Sequence, residues 1–358
     1  MKIKSCFMMS TRTEREDRKG PRIKFGVTFP KAGVTFPKAG VTGLKAGVTV
    51  PKYWVTLFLI ISISSFFKLS AEDNSRPFMG IGNLIYLERA YPDLTFTRRF
   101  DTASSEWIIT VTVPQVPGDK EGKNGTLKSY DFYWANGSLL PESELKNRDN
   151  YWPVLYGYSK ELADPADFSD EERARIKDFG STESRKNGAG TPMFFFDAIY
   201  DSQSRRTLEQ HIVRLSFLGN RTNVHERLRE PLRRVEEKVF ALAKSDSDVQ
   251  AFLDNLKSND AYQWRIIDGT NRKSFHSLGI AIDVLPKSQG GKQIFWSWAK
   301  DKYPDTWMLV PLKNRWMPPE SVIRVFEEEG FIWGGKWMIY DNMHFEYHPE
   351  LIEYNFRR

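Results

Sequence analysis

Alternating apolar and polar positions along Ile280-Ala-Ile-Asp-Val284 predict a short strand, with Ile280, Ile282 and Val284 on its packed face. Asp283 then points the other way, beside the small Ala281. β-like runs also occur at 107–113 and at 130–134, the second followed by the turn signal Asn136-Gly137. Pro114, Pro117, Gly118, Gly122 and Gly125 mark a long loop between them. Ser169–Lys177 reads as a capped, charged helix. From Thr207 the period lengthens. Leu208, Ile212 and Leu215 share one helical face, as do Leu232, Val235, Val239 and Leu242; Ser247-Asp248 opens a further helix through Val249, Phe252, Leu253 and Leu256. Residues 262–269 read as a strand and turn. Residues 292–302 and 319–330 read as helices, the second with proline at its start and Gly330 at its end. Helices grouped before and between short strands predict an α+β fold: a small antiparallel sheet packed by helices, with an N-terminal, partly β extension.

The pattern divides the chain into four stretches. Residues 1–52 contain a seven-residue repeat opening at Gly26, Gly33, Gly40 and Gly47. The period equals a heptad, but glycine recurs in every unit and proline in most, which excludes a coiled coil. Units this short bury no core, so this leader is expected to be disordered or absent from the mature protein. Residues 53–71 hold a charge-free apolar run, Tyr53 to Phe67, between Lys52 and Lys68, with Ala71 before Glu72. About 20 apolar residues are needed to cross a bilayer, so a signal peptide cleaved after Ala71 is the expectation and an uncleaved anchor the alternative. That implies export to the periplasm or cell envelope, with membrane contact only through this segment. Residues 72–200 form the extension, of unknown role, and 201–358 the domain that carries the chemistry.

Charge changes the picture once it is located. The net charge is +6, yet residues 1–52 alone carry twelve Lys or Arg against three Asp or Glu, leaving the remainder at −3. A nucleic-acid protein carries its positive charge on the folded surface, so that class is excluded. The one cysteine, Cys6, rules out an internal disulfide and a cysteine zinc cluster. Aromatic residues make up 14% of the chain, enough for a sizeable core.

Two stretches carry the candidate chemistry. Ser274-Phe-His-Ser-Leu-Gly-Ile-Ala-Ile-Asp283 offers His276 and Asp283, with Gly279 as a place to turn between them. Trp333-Gly-Gly-Lys-Trp-Met-Ile-Tyr-Asp-Asn-Met-His-Phe-Glu346 offers Asp341, at a turn, and His344, at the start of a strand. Hydrolytic zinc enzymes need three protein ligands, an open fourth position and a carboxylate to handle a proton of water. The two stretches supply that set, with Asp341 and His344 close enough in sequence for one to bind metal and the other to touch water.

Ser-x-His276-x-x-Gly279-x-Ala281-x-Asp283 followed by Asp341-x-x-His344 resembles the zinc D-Ala-D-Ala carboxypeptidases and L-Ala-D-Glu endopeptidases that cut peptidoglycan stem peptides. The Gly-Gly-x-Trp and Asp-x-x-His-Phe-Glu forms look most like the endopeptidase branch, and the similarity runs from about Glu230 to Leu351. The resemblance implies a Zn²⁺ cofactor held by His276, Asp283 and His344, and Asp341 as general base where the family often has Glu. It also implies an arginine near the site, for which Arg265 is the first candidate and Arg272 the second. Ser274 would orient the first ligand loop. The implied partner is peptidoglycan or a muropeptide. A non-catalytic zinc-containing wall-binding module of the same fold is the alternative, which the presence of Asp341 disfavours. His348, four residues after His344, would be a rival ligand on a helix, but Phe345, Tyr347 and Pro349 argue against a helix there. His211 and His225 read as surface or packing residues in helical sequence.

Overall fold

β-Branched and aromatic residues at alternate positions build the first sheet. The computed structural model describes residues 80–114 and 127–357. Strands β1 (Thr95–Asp101), β2 (Glu106–Pro114), β3 (Leu127–Ala135) and β4 (Ser138–Leu140) form a four-stranded antiparallel meander in that order. Val111 and Val113 of β2 and Phe132 and Trp134 of β3 are buried, while Thr112 pairs across with Ser129 at the surface. Asn136 and Gly137, both at positive φ, close the β3–β4 hairpin as the Asn-Gly signal requires. The helix at Asp170–Phe179 begins with a complete capping box between Ser169 and Glu172. The heptapeptide repeats, the apolar run and the expected cleavage point at Ala71 lie outside the described residues, as does most of the loop after Pro114. Among the described residues no helix is long and apolar enough to cross a membrane.

Three expectations are corrected between residues 205 and 269. The helix expected through Leu208, Ile212 and Leu215 is one turn at Arg205–Leu208, followed by a hairpin of β5 (Ile212–Phe217) and β6 (Asn220–His225). Its two-residue loop, Leu218-Gly219, has positive φ at both positions, the geometry that fits the twist of paired strands. Leucine seldom adopts that conformation, so only the glycine announced the turn. Leu218 is held there by burial and by its N–H donating to Glu236 at 2.7 Å. Residues 262–269 make no strand beyond a single bridge of Ile266 with Lys273. Instead this segment wraps the loop of the first motif: Gln263 N donates to His276 O and Arg265 N to Ser277 Oγ. The strand stands just before it, β7 (Leu256–Asp260), whose polar sequence concealed it and cut the preceding helix to Ser247–Asp254.

The second sheet has the order β7–β8–β10–β9, with β8 at Ala281–Pro286, β9 at Phe331–Trp333 and β10 at His344–Tyr347, all pairs antiparallel. The amphipathic helix Glu320–Glu328 lays Val322, Ile323, Val325 and Phe326 on it, and Phe326 stacks on Phe345 at 4.0 Å between ring centres. A stacked pair of this kind is worth about 0.5–1.5 kcal/mol beyond its buried area. That helix stops where Gly330 turns at φ +93°, as its sequence predicted. The helix expected over 292–302 starts later, at Trp296. Small antiparallel sheets packed by helices make the fold the expected α+β type. One apolar core spans it: Leu84, Leu87 and Phe195 pack in the same cluster as Val224, Ile282 and Phe345.

Candidate metal centre

Strand pairing places two of the candidate ligands. His344 of β10 stands directly opposite Asp283 of β8, so both side chains leave the same face of the sheet. His276 comes from the 3₁₀ turn Phe275–Leu278, where Ser274 Oγ accepts a hydrogen bond from His276 N at 3.3 Å. Gly279 then turns the chain at φ +70° into β8; a Cβ there would lie 2.7 Å from His225 N, so the turn needs glycine for conformation and for space. One donor atom from each of His276, Asp283 and His344 lies within 4.8 Å of the others. The structure therefore brings together the three residues that the two motifs nominated.

Hydrogen bonding fixes what those atoms offer. His276 Nδ1 faces the Ala261 carbonyl oxygen at 2.6 Å and must donate to it, so Nε2 is the nitrogen left to face a metal. His344 Nε2 faces Glu346 Oε1 at 2.9 Å and must likewise donate, so Nδ1 is the nitrogen left to face a metal. His276 Nε2 and His344 Nδ1 are 3.2 Å apart, and they lie 3.3 Å and 2.8 Å from the two Asp283 oxygens. Acceptor atoms this close need protons or a metal ion among them. Two imidazoles and one carboxylate are a zinc-type donor set, and the residues present fit that ion. Burial alone would raise the pKa of Asp283, but the hydrogen bonds from both histidines hold it well below the usual carboxylate range.

Asp341 sits beside this set on the turn before β10. Its N–H donates to Gly334 O at 3.0 Å and its carbonyl accepts from His344 N at 3.3 Å. A Cβ on Gly334 would lie 2.7 Å from the Asp341 carbonyl oxygen, so the Gly-Gly turn makes room for this residue. Asp341 is half-buried; its carboxyl accepts from the Met343 N–H, and its shielded Oδ1 has no partner among the protein's groups. Burial, with a smaller push from Asp283 and Glu346 and against the pull of His344, raises its pKa to about 7. A carboxyl poised there can both take and return a proton near neutral pH.

The two arginine candidates differ. Arg272 is committed elsewhere, donating to Arg185 O at 2.7 Å and to Ala189 O at 3.0 Å. Arg265 is half-buried, packs its backbone on the first ligand loop, and has an Nε with no protein partner. His211 and His225 lie on the β5–β6 hairpin rather than on a helix; His225 is buried, and His211 pairs with Glu226 at 2.8 Å.

Residues 268–347 match the family model described as D-alanyl-D-alanine carboxypeptidase. The match supports the zinc D-Ala-D-Ala carboxypeptidase family. It covers less than a quarter of the 358 residues and includes His276, Asp283, Asp341 and His344. At family level it supports a metallopeptidase, and members of this family are zinc enzymes. Comparison with curated proteins and with solved structures gives no match.

Beyond the four nominated residues, the D-Ala-D-Ala carboxypeptidase-like segment leads into buried groups that the motif reading passed over. Glu346, His348 and Glu350 are all buried. Their signal was the alternation of His344, Glu346 and His348 with the aromatic Phe345 and Tyr347, which puts His344 and Glu346 on one face of the strand, with His348 just beyond its end. His348 is no helical partner of His344: it follows β10 and lies between Glu346 and Glu350. Burial alone would lower its pKa, but the Glu350 and Glu346 carboxylates outweigh that and raise it to about 9. The stability that its charge contributes is complete below about pH 6.5 and is lost as pH rises through about 9. Thermal unfolding of the metal-free chain is therefore expected to show a falling midpoint between those values, and His348→Gln a shallower fall. Equal slopes in the two proteins would refute the charged state of His348.

Proposed function

We propose that this chain is a zinc-dependent peptidase that hydrolyses peptide bonds in peptidoglycan stem peptides, of the D,D-carboxypeptidase or L-Ala-D-Glu endopeptidase type. One observation carries the reading: the donor atoms of His276, Asp283 and His344 converge near the half-buried Asp341, whose shielded Oδ1 has no protein partner, inside the segment that matches the family. His276, Asp283 and His344 would hold the metal. When bound, zinc supplies a Lewis acid that polarises the scissile carbonyl and lowers the pKa of water toward about 7. Asp341 takes a proton from the attacking water and later gives it to the leaving amine. Its low-polarity surroundings keep that proton transfer close to balanced. Arg265, with its unpartnered Nε, is the candidate for a cation that steadies negative charge on the substrate. Export, supported by the basic leader and the apolar run at 53–67, would bring the enzyme to its polymer.

Digestion of purified peptidoglycan by the zinc-loaded chain, with the products weighed by mass spectrometry, tests the proposal. Loss of a terminal alanine marks the carboxypeptidase type, and paired fragments separated between L-Ala and D-Glu mark the endopeptidase type. Intact muropeptides from a zinc-loaded chain would refute hydrolysis and leave the wall-binding module.

A further inference from the structure

The chain between β8 and the helix at Glu320–Glu328 folds around an open pocket of about 410 Å³. Gln293, Lys302, Tyr303, Thr306 and Asn314 line it, and among the described residues no carboxylate does. Nor does any described residue take up the side chains of Gln293, Thr306 and Asn314 by hydrogen bonding. The wall behind them is held from within. Gln293 N donates to Asn314 O, and Trp316 N to Gln293 O, both at 2.8 Å. The Arg315 side chain, buried at 5% exposure, donates to Val310 O at 3.0 Å and to Met308 O at 3.2 Å, and its guanidinium stacks on the Tyr340 ring at 3.8 Å. A buried cation is costly unless it is well bonded, and here its bonds fix the pocket wall against the residue that precedes Asp341.

Backbone pairing joins this pocket to the metal centre. Gln293 and Phe295 are two apart on an extended segment, so their side chains leave the same side, about 7 Å from each other. Phe295 pairs antiparallel with Asp341, whose side chain shares that side about 5 Å across. The pocket is therefore two steps from the proposed base along one surface. An aromatic rim lies next to it: the Phe295 ring meets Trp298 edge-on at 5.8 Å, and Trp298 is 49% exposed.

We propose that this pocket binds an N-acetylated sugar of the wall polymer while the stem peptide attached to that sugar reaches the metal centre. The proposal rests on the peptidoglycan reading for its ligand. The volume suits a ligand of that size. The amides of Gln293 and Asn314 and the hydroxyl of Thr306 both donate and accept, which matches acetamido and hydroxyl groups. The electron-rich faces of Tyr303 and Trp298 suit the weakly positive C–H side of a sugar ring. A free amine of the peptide would meet no carboxylate and would stand near Lys302, so the charged parts of a stem peptide fit poorly. A purely apolar ligand would leave the amides without partners.

The test uses the full chain, peptide-free oligomers of N-acetylglucosamine, and the variants Gln293→Ala and Asn314→Ala. Both substitutions spare the backbone hydrogen bonds that hold the wall. Calorimetric titration should show the oligomer binding to the parent and binding about 3–10-fold more weakly to each variant, the scale of one neutral hydrogen bond. In hydrolysis of a disaccharide-bearing muropeptide the loss should fall on KM rather than on kcat, and it should be smaller for a sugar-free stem peptide. If Gln293→Ala does not fold, Asn314→Ala and Thr306→Ala, both at exposed positions, carry the test. No oligomer bound by the parent, or equal binding by parent and variants, would overturn the proposal. So would an equal rise in KM for sugar-bearing and sugar-free substrates, which would assign the pocket to the peptide. A parent that binds the oligomer through these side chains and cleaves nothing defeats the hydrolytic reading and keeps the sugar pocket. A parent that cleaves sugar-free stem peptide and binds no oligomer does the reverse.

Discussion

In the proposed mechanism, Asp341→Asn is expected to leave zinc bound and to remove hydrolysis, with a rate loss of about 10²–10⁴-fold. Asparagine matches aspartate in size and keeps one oxygen, so the hydrogen bond from the residue's N–H to Gly334 and the turn it sits on should survive. What is lost is the ability to accept a proton. The carboxyl accepts from the Met343 N–H, yet its shielded Oδ1 has no protein partner and burial raises its pKa to about 7, so it can exchange a proton as well as cap the turn. A residue that only capped the turn would tolerate the change almost silently. Zinc content and stem-peptide cleavage, measured on one preparation, separate these outcomes. Cleavage at the parent rate would remove Asp341 from the mechanism. Glu346 would be a poor replacement, because its carboxylate is engaged by His344 Nε2 on the side away from the donor cluster.

His276→Ala should yield protein with little or no zinc and no activity, while the fold persists. His276 contributes one of three converging donors, and its removal leaves only Asp283 and His344. Its ring is buried, so a cavity follows, and the Ala261 carbonyl loses its donor at 2.6 Å. An unsatisfied buried acceptor costs about 1–3 kcal/mol, which lowers the unfolding temperature without abolishing the structure. Asp283→Asn should be intermediate, since the oxygen remains but the charge does not. Elemental analysis alongside circular dichroism checks the set. A His276→Ala chain with the parent's zinc content would show that the metal binds elsewhere.

The site was more legible in the sequence than the fold around it. The resemblance of the two motifs nominated His276, Asp283 and His344, and the short strands expected at Asp283 and His344 were readable, so the cluster could be named before its surroundings were known. His276 needed the turn at Gly279, and that glycine was visible too. The β5–β6 hairpin was not, because Leu218 occupies a position where Asn or Gly would have announced the turn, and its conformation is held by the distant Glu236. β7 was hidden for a related reason. Its sequence, Leu-Lys-Ser-Asn-Asp, is polar, and Asn259 is buried only because its amide donates to Phe217 O at 2.6 Å. The partners of Glu350 and His348 were invisible because tertiary contact alone brings Tyr91 to them.

That last contact has a consequence for anyone handling the protein in pieces. The helix at Leu84–Ala90 lies against the helix at Pro349–Phe356, Tyr86 meeting Tyr354 edge-on at 5.2 Å and the Tyr91 hydroxyl reaching Glu350. The family-matched segment is therefore not a cassette that can be cut out. An excised fragment starting at residue 201 would strand a buried carboxylate and strip the apolar cover of Leu84, Leu87 and Phe195 from the core. Transplanting the two motifs into another host would carry the ligands and leave behind the hydroxyl that pairs with Glu350.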